Sequence, residues 1–191
     1  MEISTAQRAS LARYLGMIAN IDDNVGRMLA FLKENGLYEN TIFIFTTDNG
    51  NLHGEHGLSE KWYPFEESIR VPLIVCGPGI AHTMAGRPLD RMALNIDVAP
   101  TILDMAGIPI PSEMDGMSLY PVLSGRRASA REDFFMEHVG VIDVENPIPD
   151  SMGVRTNEWK YIRYVHVDPE IEEMYHIKVD PMETRNLADD L

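Results

Sequence analysis

Between Ala6 and Glu34, apolar residues return every three or four positions, at Leu11, Leu15, Ile18, Val25, Met28, Leu29 and Leu32, with charged residues between them. That period is the stripe of an amphipathic helix. Ser4 with Gln7 supplies a capping-box start, and Asn35-Gly36 a left-handed stop. Asn20, Asp22 and Asp23 interrupt the pattern near its middle. The pattern then changes. "NTIFIFTT" and "RVPLIVCG" are apolar at successive positions, as in strands buried on both faces of a parallel sheet. A helix, a buried strand, a long excursion and a second buried strand predict an α/β domain.

Downstream, Asp97 is placed to cap a short helix, "VAPTILDMAG", with Pro100 in its first turn and Gly107 as its stop. From Ile108 to Arg127, three prolines and two glycines predict a loop. "EDFFMEHV", "MGVRTNEWKYIRYV" and "EEMYHIKV" read as strands, and Asn157-Glu158 is expected to turn a hairpin within the second. The expected organisation is an α/β part over residues 1–127 and a small antiparallel sheet over residues 128–191.

Composition narrows the chemistry. At 191 residues the chain has the length of one ordinary domain, or of one with a small appendage. Its 16 Lys and Arg against 30 Asp and Glu give a net charge of −14. That balance argues against nucleic acid, where basic side chains must replace counterions, and against an anionic membrane surface. It suits divalent cations, although a solvated acidic surface explains most such charge. Cys76 is the single cysteine, which excludes an internal disulfide and a multi-thiolate metal site. No apolar run approaches the roughly 20 residues of a membrane span, and the N-terminal stretch lacks a signal-peptide pattern. The expectation is a cytoplasmic protein, or a sequence that starts downstream of any export signal.

The excursion after "TIFIF" carries the candidate chemistry. Long loops in compact domains are often functional, and this one leaves the expected carboxyl end of a parallel strand, where open α/β sheets place ligands. Asp48 and Asn49 offer a carboxylate and an amide carbonyl, both hard oxygen donors suited to Ca²⁺ or Mg²⁺. Two donors do not complete a calcium site, and Asp-Asn-Gly is also ordinary turn chemistry. Lys61 is a compact charge able to hold an oxyanion, or simply a solvated lysine. His53 and His56 sit in a glycine-rich segment that places them on no common face, and polar surface positions suit them better than metal ligation.

As a block, "TIFIFTTDNGNLHGEHGLSEKWYPFEESIRVPLIV" resembles the segment shared by type I sulfatases of the alkaline phosphatase superfamily. "YLGMIANIDDNVGRMLAFLKENGLYENT", "NIDVAPTILDMAGIPIP", "MDGMSLYPVL", "VRTNEWKYIRY" and "MYHIKVDPMETRNLADD" resemble further landmarks of that family, in the same order. The resemblance implies a partial alkaline-phosphatase-like sheet flanked by helices, followed by a small C-terminal antiparallel sheet. It implies that Asp48 and Asn49 are calcium ligands, that Lys61 binds sulfate and that His56 borders the pocket, with no role for His53. Arg155, Trp159 and Lys160 match family landmarks for which structural roles are expected.

Sulfatases act through a formylglycine made from the first residue of a Cys/Ser-x-Pro-x-Arg signature, which precedes this block. Here "CGPGI" has Ile80 at the arginine position, so Cys76 reads as a buried strand-end residue. No catalytic nucleophile is expected in this chain. The resemblance thus implies the C-terminal portion of an enzyme that cleaves sulfate monoesters of a small molecule or glycan. This portion should be inactive alone, and should associate with itself or with the missing N-terminal part. Family members of this kind are often periplasmic or extracellular. Two other readings stay open: a phosphodiesterase or phosphonate hydrolase of the same superfamily, and a non-catalytic binding or assembly module. Asn49 tilts the choice toward calcium and sulfate, since imidazole would better suit a transition metal.

Overall fold

The computed structural model describes residues 5–126, 129, 131–140 and 148–190. The first amphipathic pattern forms helix α1, Thr5–Glu34. Its start at Ser4 lies outside the described residues, but its stop is visible: Gly36 takes φ +66° and Leu37 N–H returns to Leu32 O at 2.8 Å. That double reversal satisfies the last carbonyls of the helix. Val25, Leu29 and Leu32 are half-buried, whereas Leu11, Leu15, Ile18 and Met28 are exposed. No described helix is long and apolar enough to cross a membrane.

The two apolar runs become strands β1, Phe43–Thr46, and β4, Leu73–Cys76, which pair as a two-stranded sheet. The excursion between them has structure of its own. β2, Leu52–His53, pairs antiparallel with β3, Ser59–Glu60, and a single-turn helix α2 spans Glu66–Ile69. Asp48-Asn49-Gly50 therefore precedes this small hairpin and does not form its turn.

Two corrections concern the middle of the chain. Helix α3, Val98–Met105, forms with Gly107 at φ +69° as its stop, but Asp97 makes no side-chain bond to the helix. Its buried carboxylate instead accepts from Leu94 N–H and Met117 N–H, both at 2.8 Å, and pairs with Arg131 at 2.7 Å. Capping is displaced because three stronger claims converge on one side chain. The segment read as a continuous loop also contains helix α4, Tyr120–Leu123, with Pro121 in its first turn, where proline's fixed φ is tolerated.

The C-terminal pattern reads through directly. β5 (Asp133–His138), β6 (Asp150–Thr156), β7 (Trp159–Val165) and β8 (Ile171–His176) form an antiparallel sheet in chain order. Arg155 faces Lys160 across the β6–β7 turn at Asn157-Glu158. Along β7, alternation puts Lys160, Ile162 and Tyr164 on the buried face. Leu52, Phe65, Ile162, Tyr164, Tyr175 and Ile177 form the core cluster. It joins the excursion to the C-terminal sheet.

Two compact units emerge, Met1–Phe43 with Val75–Pro78, and Ile44–Ile74 with Gly79–Leu191. All the candidate site residues belong to the second.

Candidate functional site

β1 ends at Thr46, and the next residues close on themselves. Asp48 Oδ1 accepts from Asn49 N–H at 2.9 Å and from Thr47 Oγ1 at 3.2 Å. These bonds, joined by the charge of Lys61, hold the exposed Asp48 carboxyl below its usual range. The Asn49 amide donates to Gly50 O at 2.7 Å, which aims Oδ1 away from its own backbone. Lys61 Nζ donates to that Oδ1 at 3.1 Å. One carboxylate, one amide oxygen and one ammonium are thus gathered at a single corner, although Lys61 lies twelve positions along the chain.

Gly50 is required by crowding, not by a left-handed φ. A Cβ there would stand 1.9 Å from Glu67 O, so no other residue fits. The same approach lets Gly50 N–H bond to Ser68 O at 2.8 Å, tying the corner to α2.

His56 takes a different place. Its ring stacks on Phe65, with centroids 3.8 Å apart and planes 8° from parallel, and Nε2 lies 3.5 Å from Glu67 Oε2. Together with Glu67, Tyr63, Tyr164 and Glu173 it lines a cavity of about 770 Å³, among whose lining residues Lys61 is not found. His56, Glu67 and Glu183 bring one ligand atom each within 4.8 Å of one another. Both Glu183 oxygens are already engaged, however, by Lys160 Nζ at 2.7 Å and Glu66 N–H at 2.6 Å. His53 is exposed beside Asn51 and Glu55. Cys76 is an intermediate-exposure strand-end thiol, not the buried one that the sequence predicts; β4 is half-buried at that end.

Composition and spacing give no signal for a cluster of enclosed charges among the described residues. Lys160, fully buried on β7, pairs with Glu66 Oε1 at 2.9 Å and Glu183 Oε1 at 2.7 Å, and donates to Pro64 O at 2.9 Å. Arg155 Nε adds 3.0 Å to Glu66 Oε1. Burial presses both carboxyls upward. In Glu66 the bonds and charges of Arg155 and Lys160 outweigh it and the carboxyl ends below its usual range, whereas Glu183 stays above. Trp159 sits half-exposed against His176, with ring centroids 4.2 Å apart. Lys160 and Arg155 therefore have the structural partners expected of those landmarks.

Comparisons with known proteins agree with this architecture. The N-acetylglucosamine-6-O-sulfatase of Bacteroides thetaiotaomicron is 35% identical over 187 residues, 97% of this chain and 33% of the relative. A solved structure of a protein in complex with its substrate D-glucosamine-2-N,6-O-disulfate superposes with a TM-score of 0.83 at 36% identity, over 91% of this chain and 35% of that one. The phosphonate monoester hydrolase of Silicibacter pomeroyi gives 0.78 at 27% identity, over 93% and 36%. These relationships define a protein of the alkaline phosphatase-like superfamily. Residues 54–191 match the family model for the C-terminal region of N-sulphoglucosamine sulphohydrolase, and the chain belongs to the sulfatase family. It corresponds to the C-terminal portion and spans about a third of the length of these relatives.

Proposed function

We propose that this chain supplies the calcium-and-sulfate corner of a sulfatase that hydrolyses sulfate monoesters of an amino sugar to the alcohol and inorganic sulfate. The observation that carries the reading is the 3.1 Å contact between Lys61 Nζ and Asn49 Oδ1, beside the Asp48 carboxylate. Asp48 and Asn49 fit the metal by donor chemistry, since both present hard oxygens and neither competes with a transition-metal preference. Bound there, calcium would supply positive charge where a sulfate oxygen and the departing oxygen carry negative charge. Lys61 adds a second positive charge and orients the sulfate from its three N–H donors. Its ammonium already rests on the amide oxygen, so it stands beside the proposed metal donors before any ligand arrives. The nucleophile belongs to the portion of the enzyme outside this chain, and covalent catalysis cannot proceed without it.

The amino-sugar assignment follows the sugar bound by the structurally related protein. A phosphonate or phosphodiester hydrolase is the second reading, favoured by the likeness to a phosphonate monoester hydrolase. The carboxamide of Asn49, where that chemistry would use imidazole for its metal, weighs toward sulfate.

Calcium titration of the purified chain, followed by calorimetry and by the Asn49 side-chain amide resonance, tests the reading. Wild type is expected to bind Ca²⁺ weakly, at about 10⁻³ M or above as befits an incomplete ligand set, and Asp48→Ala to lose the binding. Equal behaviour of the two proteins would remove the metal corner.

A further inference from the structure

We infer that Lys160 is a positioning residue: its buried ammonium sets the spacing between Asn49 and Lys61. The inference rests on reading those residues as the calcium-and-sulfate corner. Lys160 grips the stretch that begins at Lys61 and runs through α2 at two points, on either side of Phe65. At the first, the Pro64 carbonyl accepts from Lys160 Nζ at 2.9 Å. At the second, Glu66, the first residue of α2, meets the same ammonium at 2.9 Å.

From these two points the constraint passes along the backbone toward the corner. From α2, Ser68 O receives Gly50 N–H at 2.8 Å, and Gly50 follows Asn49 directly. The lack of any space at Gly50 Cβ, 1.9 Å from Glu67 O, makes that junction stiff. On the other side Lys61 stands between Glu60 at φ +68° and Trp62 at φ +93°, both non-glycine residues in the left-handed region. Such conformations are disfavoured for residues with a Cβ and persist only where their surroundings over-determine them. The Pro64 carbonyl bond to Lys160 is one such constraint, three residues from Lys61.

The ammonium is itself held from behind. Glu183 contacts it at 2.7 Å and also receives Glu66 N–H at 2.6 Å, while Arg155 clamps Glu66 at 3.0 Å. Lys160 has no exposed surface, and β7 alternation fixes its direction inward. A fully buried lysine that ends on a backbone carbonyl and two carboxylates has no freedom to serve any ligand, and its whole effect is on position.

The test uses the 191-residue chain and the Asn49 side-chain amide resonances, assigned with Asn49→Ala, as a reporter of the Lys61 contact. Lys160→Met is expected to displace or broaden the Asn49 resonances while the backbone amides of Met136, Glu137 and His138, at the far end of β5, keep their wild-type positions. If that single exchange does not fold, Lys160→Met with Glu183→Gln leaves no unpaired carboxylate beside the lost ammonium and carries the same expectation. A folded variant of either kind with Asn49 resonances unmoved would overturn the inference. Calcium titration of wild type separates the two ideas. If the metal corner fails, Asn49 ignores Ca²⁺ but still moves in Lys160→Met. If the positioning inference fails, Asn49 responds to Ca²⁺ and is indifferent to Lys160.

Discussion

Lys61 Nζ rests 3.1 Å from Asn49 Oδ1, so the amide oxygen assigned to a metal already faces a positive charge. An ammonium and a divalent cation on one oxygen repel each other, and binding the second must push the first aside. In a water-like medium two unit charges about 4 Å apart interact by ~1 kcal/mol and an ammonium with a divalent cation by ~2 kcal/mol, an upper bound of roughly thirtyfold in affinity before the ammonium swings aside. Lys61→Met is therefore expected to raise the affinity of this chain for Ca²⁺ several-fold, measured by calorimetric titration. The same exchange should abolish any response to added inorganic sulfate. Unchanged calcium affinity would show that the two cations do not share the corner.

The pattern of the chain made some of this legible and hid the rest. α1, the two short strands and the β6–β7 hairpin follow from local periodicity and turn chemistry, which act between near neighbours; burial of the two strands on both faces does not follow, since neither β1 nor β4 has a buried residue and Ile74 is 56% exposed. Asp48, Asn49 and Lys61 were legible as candidates because a strand end followed by hard oxygen donors is a local feature. Asp97 was misread because its carboxylate is claimed by Leu94, Met117 and Arg131, the last 34 positions away. Glu66, Lys160 and Glu183 were silent for the same reason. Glu66 pairs with Lys160 and takes a bond from its backbone to Glu183 over a separation of 117 residues, which no short window can register. A lysine between Trp159 and Tyr161 in an alternating strand was the available clue, since the inward face there is otherwise apolar.

Turnover should be absent from the isolated chain. Asp48, Asn49 and Lys61 hold and orient, and none of them is placed as a nucleophile. Incubation of the purified 191-residue protein with an aryl sulfate and Ca²⁺ is expected to release no inorganic sulfate above the buffer rate. Metal-dependent release that disappears in Asp48→Ala would contradict the assignment of the nucleophile to another part of the enzyme.

Helix α1 should drive association in solution. Leu15, Met17 and Phe31 are 54%, 60% and 59% exposed, and Leu11, Ile18, Ile21 and Met28 are uncovered as well. Large exposed apolar surface marks an association site. Sedimentation over a concentration series should show the average mass rising, and Leu15→Ser with Phe31→Ser should lower it toward the monomer. A monomer at every concentration would refute the expectation.

Removing the buried ammonium should be costly, and removing a whole ion pair much less so. Lys160→Met leaves Glu183 with no cation inside the protein, a change expected to lower stability by about 3–5 kcal/mol. Adding Glu183→Gln neutralises that residue while its amide can still receive Glu66 N–H, and should recover most of the loss. Urea unfolding of the two variants decides it. A double variant no more stable than the single one would mean that Lys160 acts through Pro64 and Glu66 rather than through Glu183.

Acid should dissolve the contribution of Glu66 in a defined direction. Burial raises its carboxyl, but Arg155 and Lys160 outweigh burial and bring it below the ordinary glutamate value of 4.5. A carboxyl depressed in the folded state adds stability that is complete above its unfolded value and is lost as pH falls through the folded one. The stability gap between wild type and Glu66→Gln should therefore be full at neutral pH and close as the solution is acidified below 4.5. Glu183 runs in the opposite sense: burial holds its carboxyl above 4.5, so the stability gained from its protonated form is complete below that value and lost as pH rises through the elevated one. Unfolding curves for wild type, Glu66→Gln and Glu183→Gln across the acid range should thus diverge with opposite slopes. Parallel curves would mean that the two carboxyls share the ammonium equally, and that Arg155 does not distinguish them.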